Sequence, residues 1–516
     1  MVGTVLSTKK AFLEEIKGGR IPPLPLEIPY GDPCGIYEAL VRSGGSTRNS
    51  MLLESVKGPF KIARYSFILF DPYLLLRAKE GEVTIHSTAG DRHSVSYRPP
   101  LDRLRELVEA YPQRPSPELP PFQGGAAGLI SYDFVRYIED IPKKALDDLR
   151  IPDIHFMMAD RVIAFDHKEK RSWIIVSPGA RDTQLGYRDI GQIDFNRAYD
   201  EAREILRATE RRIADQKAAE PAPSAPRPPS TLLRYEMTKE RYMDIVRRAK
   251  EYIAAGDIFQ ANLSQRISSP IGGREPWEIY KALRDINPSP FAAYADFGEY
   301  QIVSSSPERL VKVTDGTIET RPIAGTRPRG KDGSEDEVMR SELLLHPKER
   351  AEHIMLIDLE RNDIGRVSEY GSVTVDELMI TEDYSHVIHI VSNVKGILQK
   401  GKTSFDVIRA TFPGGTITGV PKVRCMEIID ELEPVVRGPY TGSLGYVGFS
   451  GNMDLNIIIR TFTIKDGIAY VQAGAGIVAD SDPEKEYYET LKKAEALVRT
   501  LEALSGVSCR THRREG

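Results

Sequence analysis

Three features of this 516-residue sequence predict an α+β fold built on a large antiparallel sheet. Short runs of alternating β-formers recur along the chain, and neighbouring runs are joined by Asp-Gly turns that favour hairpins. Amphipathic helices with clear caps stand between blocks of strands instead of following every strand, which disfavours parallel crossover units.

Taken in order, residues 1–215 carry strand-like runs such as 81–86 and 171–176, separated by Gly, Pro and Asp, and read as an N-terminal α+β module of regulatory or structural role. A helix over about 196–215 closes it. Residues 216–236, with Pro and Ala dominating 218–230, are too poor in large apolar groups to pack and read as an exposed linker. In the second module, 237–503, Thr238 caps a helix whose apolar positions Tyr242, Ile245, Val246, Ala249, Tyr252 and Ile253 fall on one stripe, and Gly256 stops it. Strands are expected at 302–306, 310–313, 317–320, 445–449, 455–464 and 468–472, with turns at Asp315-Gly316 and Asp466-Gly467. The tail, 504–516, is expected to be disordered.

Composition narrows the class. The chain is 41% hydrophobic and 28% charged with a formal net charge of −5, and it has no apolar run approaching a membrane span, so neither nucleic acid nor membrane is suggested as a partner. Its start lacks the apolar core of a signal peptide, and Cys34, Cys425 and Cys509 form neither a disulfide framework nor a metal cluster. A cytoplasmic location is expected. No cysteine sits in a Gly-x-Cys-x-Gly elbow, so the chain has no amidotransferase nucleophile of its own.

The residues suited to chemistry begin at His346-Pro347-Lys348-Glu349-Arg350-Ala351-Glu352. Pro347 suits the first turn of a helix, which places Glu349 and Glu352 one turn apart on one face. Asp482 and Pro483 open a second such helix, carrying Glu486, Glu489 and Lys493. Two helices each offering a carboxylate pair can hold one hard divalent ion between them, although singly each pair is also what a solvated face carries. Four loops rich in Gly, Thr and Pro, at 322–330, 413–422, 437–442 and 473–476, would let backbone N–H groups approach an anion; Thr326, Thr416, Arg460 and Lys493 add donors suited to carboxylates. Each loop alone is equally a tight turn, and His389 alone is equally a packed histidine.

Together these segments resemble the chorismate-utilising enzymes. The resemblance rests on Gly256-Asp-Ile-Phe-Gln-Ala-Asn-Leu-Ser-Gln-Arg266, Ser305-Ser-Pro-Glu308, Pro322-Ile-Ala-Gly-Thr326, Asp358-Leu-Glu-Arg-Asn-Asp-Ile-Gly-Arg366, Tyr384-Ser-His-Val-Ile-His389, Lys422-Val-Arg-Cys-Met-Glu-Ile-Ile-Asp-Glu-Leu-Glu-Pro434 and Gln472-Ala-Gly-Ala-Gly-Ile-Val-Ala-Asp480, all in order between about 237 and 500. Leu52-Leu-Glu-Ser55 and Arg64-Tyr-Ser-Phe67 extend it into the first module. It implies two large antiparallel sheets packed as a sandwich with surrounding helices, and magnesium and chorismate in a cleft of the second module. Glu352 and Glu489 would bind Mg2+, with Glu349 and Glu486 behind them through water. Tyr440, Arg460, Gly474, Gly476 and Lys493 would grip the substrate's carboxylates, and Thr326 and Thr416 would line its ring. His389 would assist loss of the C4 hydroxyl, and Glu308 would move a proton in the elimination of pyruvate.

Within that family the anthranilate synthase large subunit is the nearest pattern, implying ammonia supplied by a separate glutamine amidotransferase subunit in a hetero-oligomer. The large subunit of 4-amino-4-deoxychorismate synthase is the near rival. Its commoner loop carries lysine, a nucleophile, where this chain has Ala324, yet Gln260-Ala-Asn-Leu, Thr416-Ile-Thr-Gly and Met453-Asp-Leu-Asn456 look more like that branch. Isochorismate and salicylate synthases fit less well, for want of their basic lysine. A catalytically silent homologue would be expected to have lost a metal glutamate, and all four are present. In tryptophan-inhibited members the effector lies against the stretches matching Glu54-Ser55 and Asn287-Pro288-Ser289-Pro290; Ala292 stands where Met is usual, so weaker inhibition is expected.

Overall fold

The computed structural model describes residues 8–42, 48–88, 90, 93–186, 190–215, 232–330, 333–383 and 387–504. Residues 216–231 of the expected linker, the expected tail beyond Leu504, Tyr384-Ser-His386 and Cys509 lie outside them. Two antiparallel sheets, each of 12 strands among the described residues, form the body. The first runs Leu24–Ile28, Arg171–Val176, Arg161–Asp166, Tyr65–Leu69, Ser50–Glu54, Phe291–Asp296, Tyr300–Ser306, Thr461–Lys465, Ile468–Ile477, Gln260–Pro270 and Arg234–Tyr235, with Gly419–Val420 branching from Gln260–Pro270. The second runs Ile323–Pro328, Val387–Ile397, Thr317–Thr320, Arg309–Thr314, Met453–Asn456, Ser443–Gly448, Gly125–Ile130, Ile154–Ala159, Leu74–Lys79, Glu82–Ser87 and His93–Ser96, with Thr374–Asp383 beside Val387–Ile397. Both sheets therefore draw strands from each side of residues 216–231.

The sheets pack face to face through alternate inward residues. Met51, Phe67, Trp173, Ala293 and Ile302 of the first meet Ala127, Leu129, Met157, Leu444 and Tyr446 of the second in one apolar layer. Helices cover the outer faces. Lys239–Ala254 buries Tyr242, Ile245, Val246 and Ala249, as its spacing predicts, and Thr238 accepts a hydrogen bond from the N–H of Arg241 as its cap. That stripe joins Cys425, Ile428 and Ile429 of Lys422–Leu432 over Leu263 and Ala475.

Both predicted Asp-Gly turns have two consecutive residues in the left-handed region, Asp315 and Gly316 at φ 49° and 79°, Asp466 and Gly467 at 51° and 74°. This is the geometry that twists with a hairpin's strands. Three expectations need correction. The run 455–464 is two strands: Met453–Asn456 ends in the second sheet and Thr461–Lys465 begins in the first, so 457–460 carries the chain across the sandwich. The stretches 322–330 and 473–476, expected as loops, are largely strand, in Ile323–Pro328 and Ile468–Ile477. Their glycines serve close approach of other groups, not a turn.

Candidate active site

Helix Pro347–Gly365 starts as predicted, with the His346 side chain accepting from the N–H of Glu349 and Pro347 in its first turn. Glu349 pairs with Arg327 at 3.3 Å, and its carboxylate lies against Gly325, where a Cβ would fall 2.9 Å from Oε2. Glu352 accepts a hydrogen bond from Gln260 Nε2 at 3.2 Å. The second carboxylate helix, Pro483–Leu504, is capped by Asp482, which accepts from the N–H groups of Glu484 and Lys485. Glu489 sits 2.9 Å from Lys493, one turn beyond Glu486, and Lys493 Nζ also donates to the carbonyl of Gly474 at 3.1 Å.

Between these helices lies the strand pair Gln260–Pro270 and Ile468–Ile477, with Asn262 opposite Gly476 and Ser264 opposite Gly474. A Cβ on Gly474 would lie 2.8 Å from the Tyr440 hydroxyl and would collide with Asn262 Oδ1; one on Gly476 would lie 2.6 Å from Gln260 Nε2. The two glycines therefore let the Tyr440 hydroxyl, Asn262 Oδ1 and the Gln260 amide approach the strand closely, and this group is the candidate cradle. The buried Asn262 Oδ1 has no hydrogen-bond partner among the described residues, as suits a wall that meets a ligand. Four carboxylates with no softer donor suit a hard ion such as magnesium. Among the described residues no group of three or more His, Cys, Asp or Glu is arranged to hold a metal ion. Glu352 reaches the strand pair from one helix through Gln260, and Glu489 from the other through Lys493.

Glu308 is buried, and the Thr416 hydroxyl donates to it at 2.9 Å. Burial lifts its pKa to about 7, against the opposing pull of the Thr416 hydrogen bond and the charges of Arg460 and Lys493. Arg460 lies in the segment that crosses between the sheets, with φ at 50°, and its carbonyl accepts from the N–H of Ser305 at 3.1 Å. His389 is the third residue of Val387–Ile397, flanked in register by Thr326 on one side and Glu382 on the other. Its Nδ1 is 3.1 Å from the Gly325 carbonyl, which can only accept, so Nδ1 carries the proton. Burial lowers its pKa to about 4, so the imidazole is neutral at neutral pH.

Tyr440 is positioned by Arg437, a residue not singled out in the sequence. Arg437 is buried, paired with Glu433 at 2.7 Å, and donates to the carbonyls of Ile417 and Asn262. Its guanidinium lies over the rings of Tyr440 and Tyr132. Gln260, Asn262, Glu360, Asp363 and Lys422 were likewise quoted only as parts of motifs. The available signal was polar residues alternating with Ala261 and Leu263 at the start of a strand, Gln260 and Asn262, and acids within a helix, Glu360 and Asp363.

The expected effector residues divide. Glu54, Ser55 and Pro290 line a cavity of about 540 Å³ between the sheets, together with Phe60, Tyr65, Phe67 and Ala292. Glu54 is engaged by Arg284 at 2.7 Å and by the Tyr280 hydroxyl at 2.5 Å, so its charge is already matched. Ser55 Oγ donates to the carbonyls of Tyr65 and Pro290. Asn287 instead donates to Ser305 Oγ at 2.8 Å, and the Ser289 carbonyl accepts from the N–H of Val56. Pro288 lies between them, outside any helix or strand. Cys34 and Cys425 are buried free thiols, and no described helix is long and apolar enough to cross a membrane.

Comparison with known proteins gives concordant matches. The sequence profile of the chorismate binding enzymes matches residues 48–499. The chain is 45% identical over 493 residues to anthranilate synthase component 1 of Acetivibrio thermocellus, covering 94% of this chain and 96% of that one. It is 45% identical over 457 residues to aminodeoxychorismate synthase component 1 of Bacillus subtilis (strain 168), covering 89% and 92%. The crystal structure of anthranilate synthase component I from Streptococcus pneumoniae TIGR4 superposes with a TM-score of 0.72 at 36% identity, over 85% of this chain and 92% of that chain.

Proposed function

The chain belongs to the chorismate-binding enzymes, and from that premise we propose that it is the large subunit of a cytoplasmic anthranilate synthase, converting chorismate and ammonia to anthranilate and pyruvate. The observation that carries the choice of product is Ala324. It stands in Ile323–Pro328, the strand beside His389, where a lysine nucleophile would serve the rival chemistry. Ammonia comes from a separate glutamine amidotransferase subunit, since this chain has no nucleophilic cysteine elbow.

Glu352 and Glu489 would hold magnesium, with Glu349 and Glu486 behind them, and the bound ion would neutralise a substrate carboxylate. Arg460, Lys493, the Tyr440 hydroxyl and the Gly474–Gly476 cradle take the carboxylates, so the dianion is held where ammonia can approach C2. As the C2–N bond forms, the C4–O bond breaks. His389 is neutral in the free protein, but a dianion bound nearby raises its pKa, so the imidazolium is available to protonate the leaving hydroxide as water. Ionised Glu308 then takes the C2 proton as the C3–O bond breaks, the departing enolpyruvate gains a proton at its methylene carbon to become pyruvate, and aromatisation drives the step. A carboxylate with a pKa near 7 suits that transfer.

Incubation with chorismate, Mg2+ and ammonium salt decides the product: anthranilate fluorescence without any added lyase is expected. Product that fluoresces only after a lyase is added would establish the second reading, aminodeoxychorismate synthase, which the 45% identity to the Bacillus subtilis enzyme favours. Tryptophan would occupy the cavity lined by Ser55, Pro290 and Ala292, resting on its aromatic walls, since Glu54 is already paired. Weak inhibition, lost in Ser55→Phe, is expected; strong inhibition that survives Ser55→Phe would refute it.

A further inference from the structure

Thr416, which donates to Glu308, sits in the middle of a ten-residue connection between helices Ser404–Thr411 and Lys422–Leu432. A connection of that length cannot by its own stiffness keep one hydroxyl on one carboxylate oxygen. Its second half is held by the pairing of Gly419–Val420 with Gln260–Ala261 and by the Asn262 N–H on the Thr418 carbonyl, and three side-chain contacts restrain the rest. Lys422 Nζ donates to Asp363 Oδ2 at 2.5 Å and to the carbonyl of Thr411 at 3.4 Å, so one ammonium ties both ends of the connection to helix Pro347–Gly365. The Asp363 side chain is 4% exposed and that of Lys422 is 15% exposed, so solvent screens the pair little. On the same helix, Leu359 lies directly under Gly415, where any Cβ would overlap it. Arg437 holds the far side through the Ile417 carbonyl.

We propose that the Asp363–Lys422 ion pair is a positioning element that clamps both ends of this connection and so holds the Thr416 hydroxyl on Glu308. The helix that presents Glu349 and Glu352 at its start would then also set the proton-transfer carboxylate from its C-terminal half. Glu308 is faced by Arg460 from the crossing segment, Lys493 from Pro483–Leu504, Thr416 from the connection and Glu360 from Pro347–Gly365. Of these, only Thr416 takes its position from the clamp; Glu360 feels Asp363 and Lys422 as opposite charges, which the double variant removes together. Loosening it removes a hydrogen bond that favours the ionised form, and the inflection of Glu308 moves up in pH.

The inference rests on chorismate being turned over at this site, whichever amine is formed. The test compares wild type with Lys422→Met, Asp363→Asn, the double variant, and Lys422→Arg as the conservative replacement. The double variant leaves no unpaired buried charge, so it reports even if a single variant fails to fold. The pH profile of kcat for chorismate, with Mg2+ and ammonium salt, should move its inflection upward by about one unit in the double variant, lowering kcat at pH 7 about fivefold with KM little changed. Lys422→Arg should restore most of it. Thr416→Val should give the same displacement, and adding it to the double variant should give no more. The carboxyl stretch of Glu308, assigned by infrared difference against Glu308→Gln, reads the same inflection without turnover. A folded double variant whose Glu308 titrates as in wild type, or whose shift adds in full to that of Thr416→Val, overturns the clamp. A wild-type protein that leaves chorismate untouched overturns the functional reading instead, and the infrared titration still decides the clamp.

Discussion

Glu308, Glu360 and His389 are displaced from their ordinary titration chiefly by one cause, loss of water, and each is pushed toward its neutral form. For Glu360 the displacement is largest among the acids here. It is buried on Pro347–Gly365 with the Thr320 hydroxyl as a donor at 2.8 Å and the charge of Asp363 nearby, and its pKa rises to about 8. A carboxyl whose folded pKa is raised releases its proton on unfolding. Its contribution is therefore intact below the unfolded value near 4.5 and declines as pH rises toward the folded value. Glu360→Gln, which keeps the acceptor for Thr320, should raise stability most at pH 8, by up to roughly 4 kcal/mol, and hardly at pH 4. Equal gains at both pH values in thermal denaturation would show that Glu360 is ionised in the fold. Glu352→Gln and Glu489→Gln each remove one anionic ligand, and half-maximal activity should need at least about tenfold more Mg2+ while melting is unchanged. Wild-type turnover at limiting Mg2+ in either variant would remove that residue from the ion site.

The elements show where sequence reading succeeds and where it fails. Helices Lys239–Ala254, Pro347–Gly365 and Pro483–Leu504 were legible because caps and prolines are local signals, complete within a few residues. The break between Met453–Asn456 and Thr461–Lys465 was not, because Ile457-Ile458-Ile459 continues the β-branched run and Arg460, not a glycine, takes the left-handed turn. The change of sheet is decided by packing between layers, and the residue that makes it also supplies a cation to Glu308. Strand Ile468–Ile477 misled in the opposite sense, since Gly474 and Gly476 suggested a loop while they admit the side chains of Tyr440, Asn262 and Gln260 close to the strand. The two should differ under mutation. Gly474→Ala puts a methyl against Tyr440, Asn262 and the Leu263 carbonyl, whereas Gly476→Ala meets only the Gln260 side chain, which can swing away. Gly474→Ala should raise KM for chorismate at least about tenfold and Gly476→Ala by less than about threefold. Equal effects in steady-state kinetics would mean that the cradle is not where the substrate sits.

At the scale of the molecule, the pairing of distant strands was the least legible feature, since nothing local in Ser50–Glu54 names Phe291–Asp296 as its neighbour. The sheets are shared: Ser50–Glu54 pairs with Phe291–Asp296 in one, and Gly125–Ile130 with Ser443–Gly448 in the other. A chain supplied as two pieces, 1–215 and 232–516, should therefore assemble into one active particle when co-expressed, and either piece alone should aggregate through its open strand edges. Size-exclusion chromatography checks this; a monomeric, active 232–516 piece would contradict it. The same pairing fixes the timing of birth. Gly125–Ile130 leaves the ribosome about 300 residues ahead of the strand that covers it, an interval on the order of 15–60 s at ordinary synthesis rates. Throughout that interval one edge of this wholly apolar strand lacks its partner, the other being met early by Ile154–Ala159, so the demand this protein makes on holding chaperones is set by the order of its strands and not by its final stability.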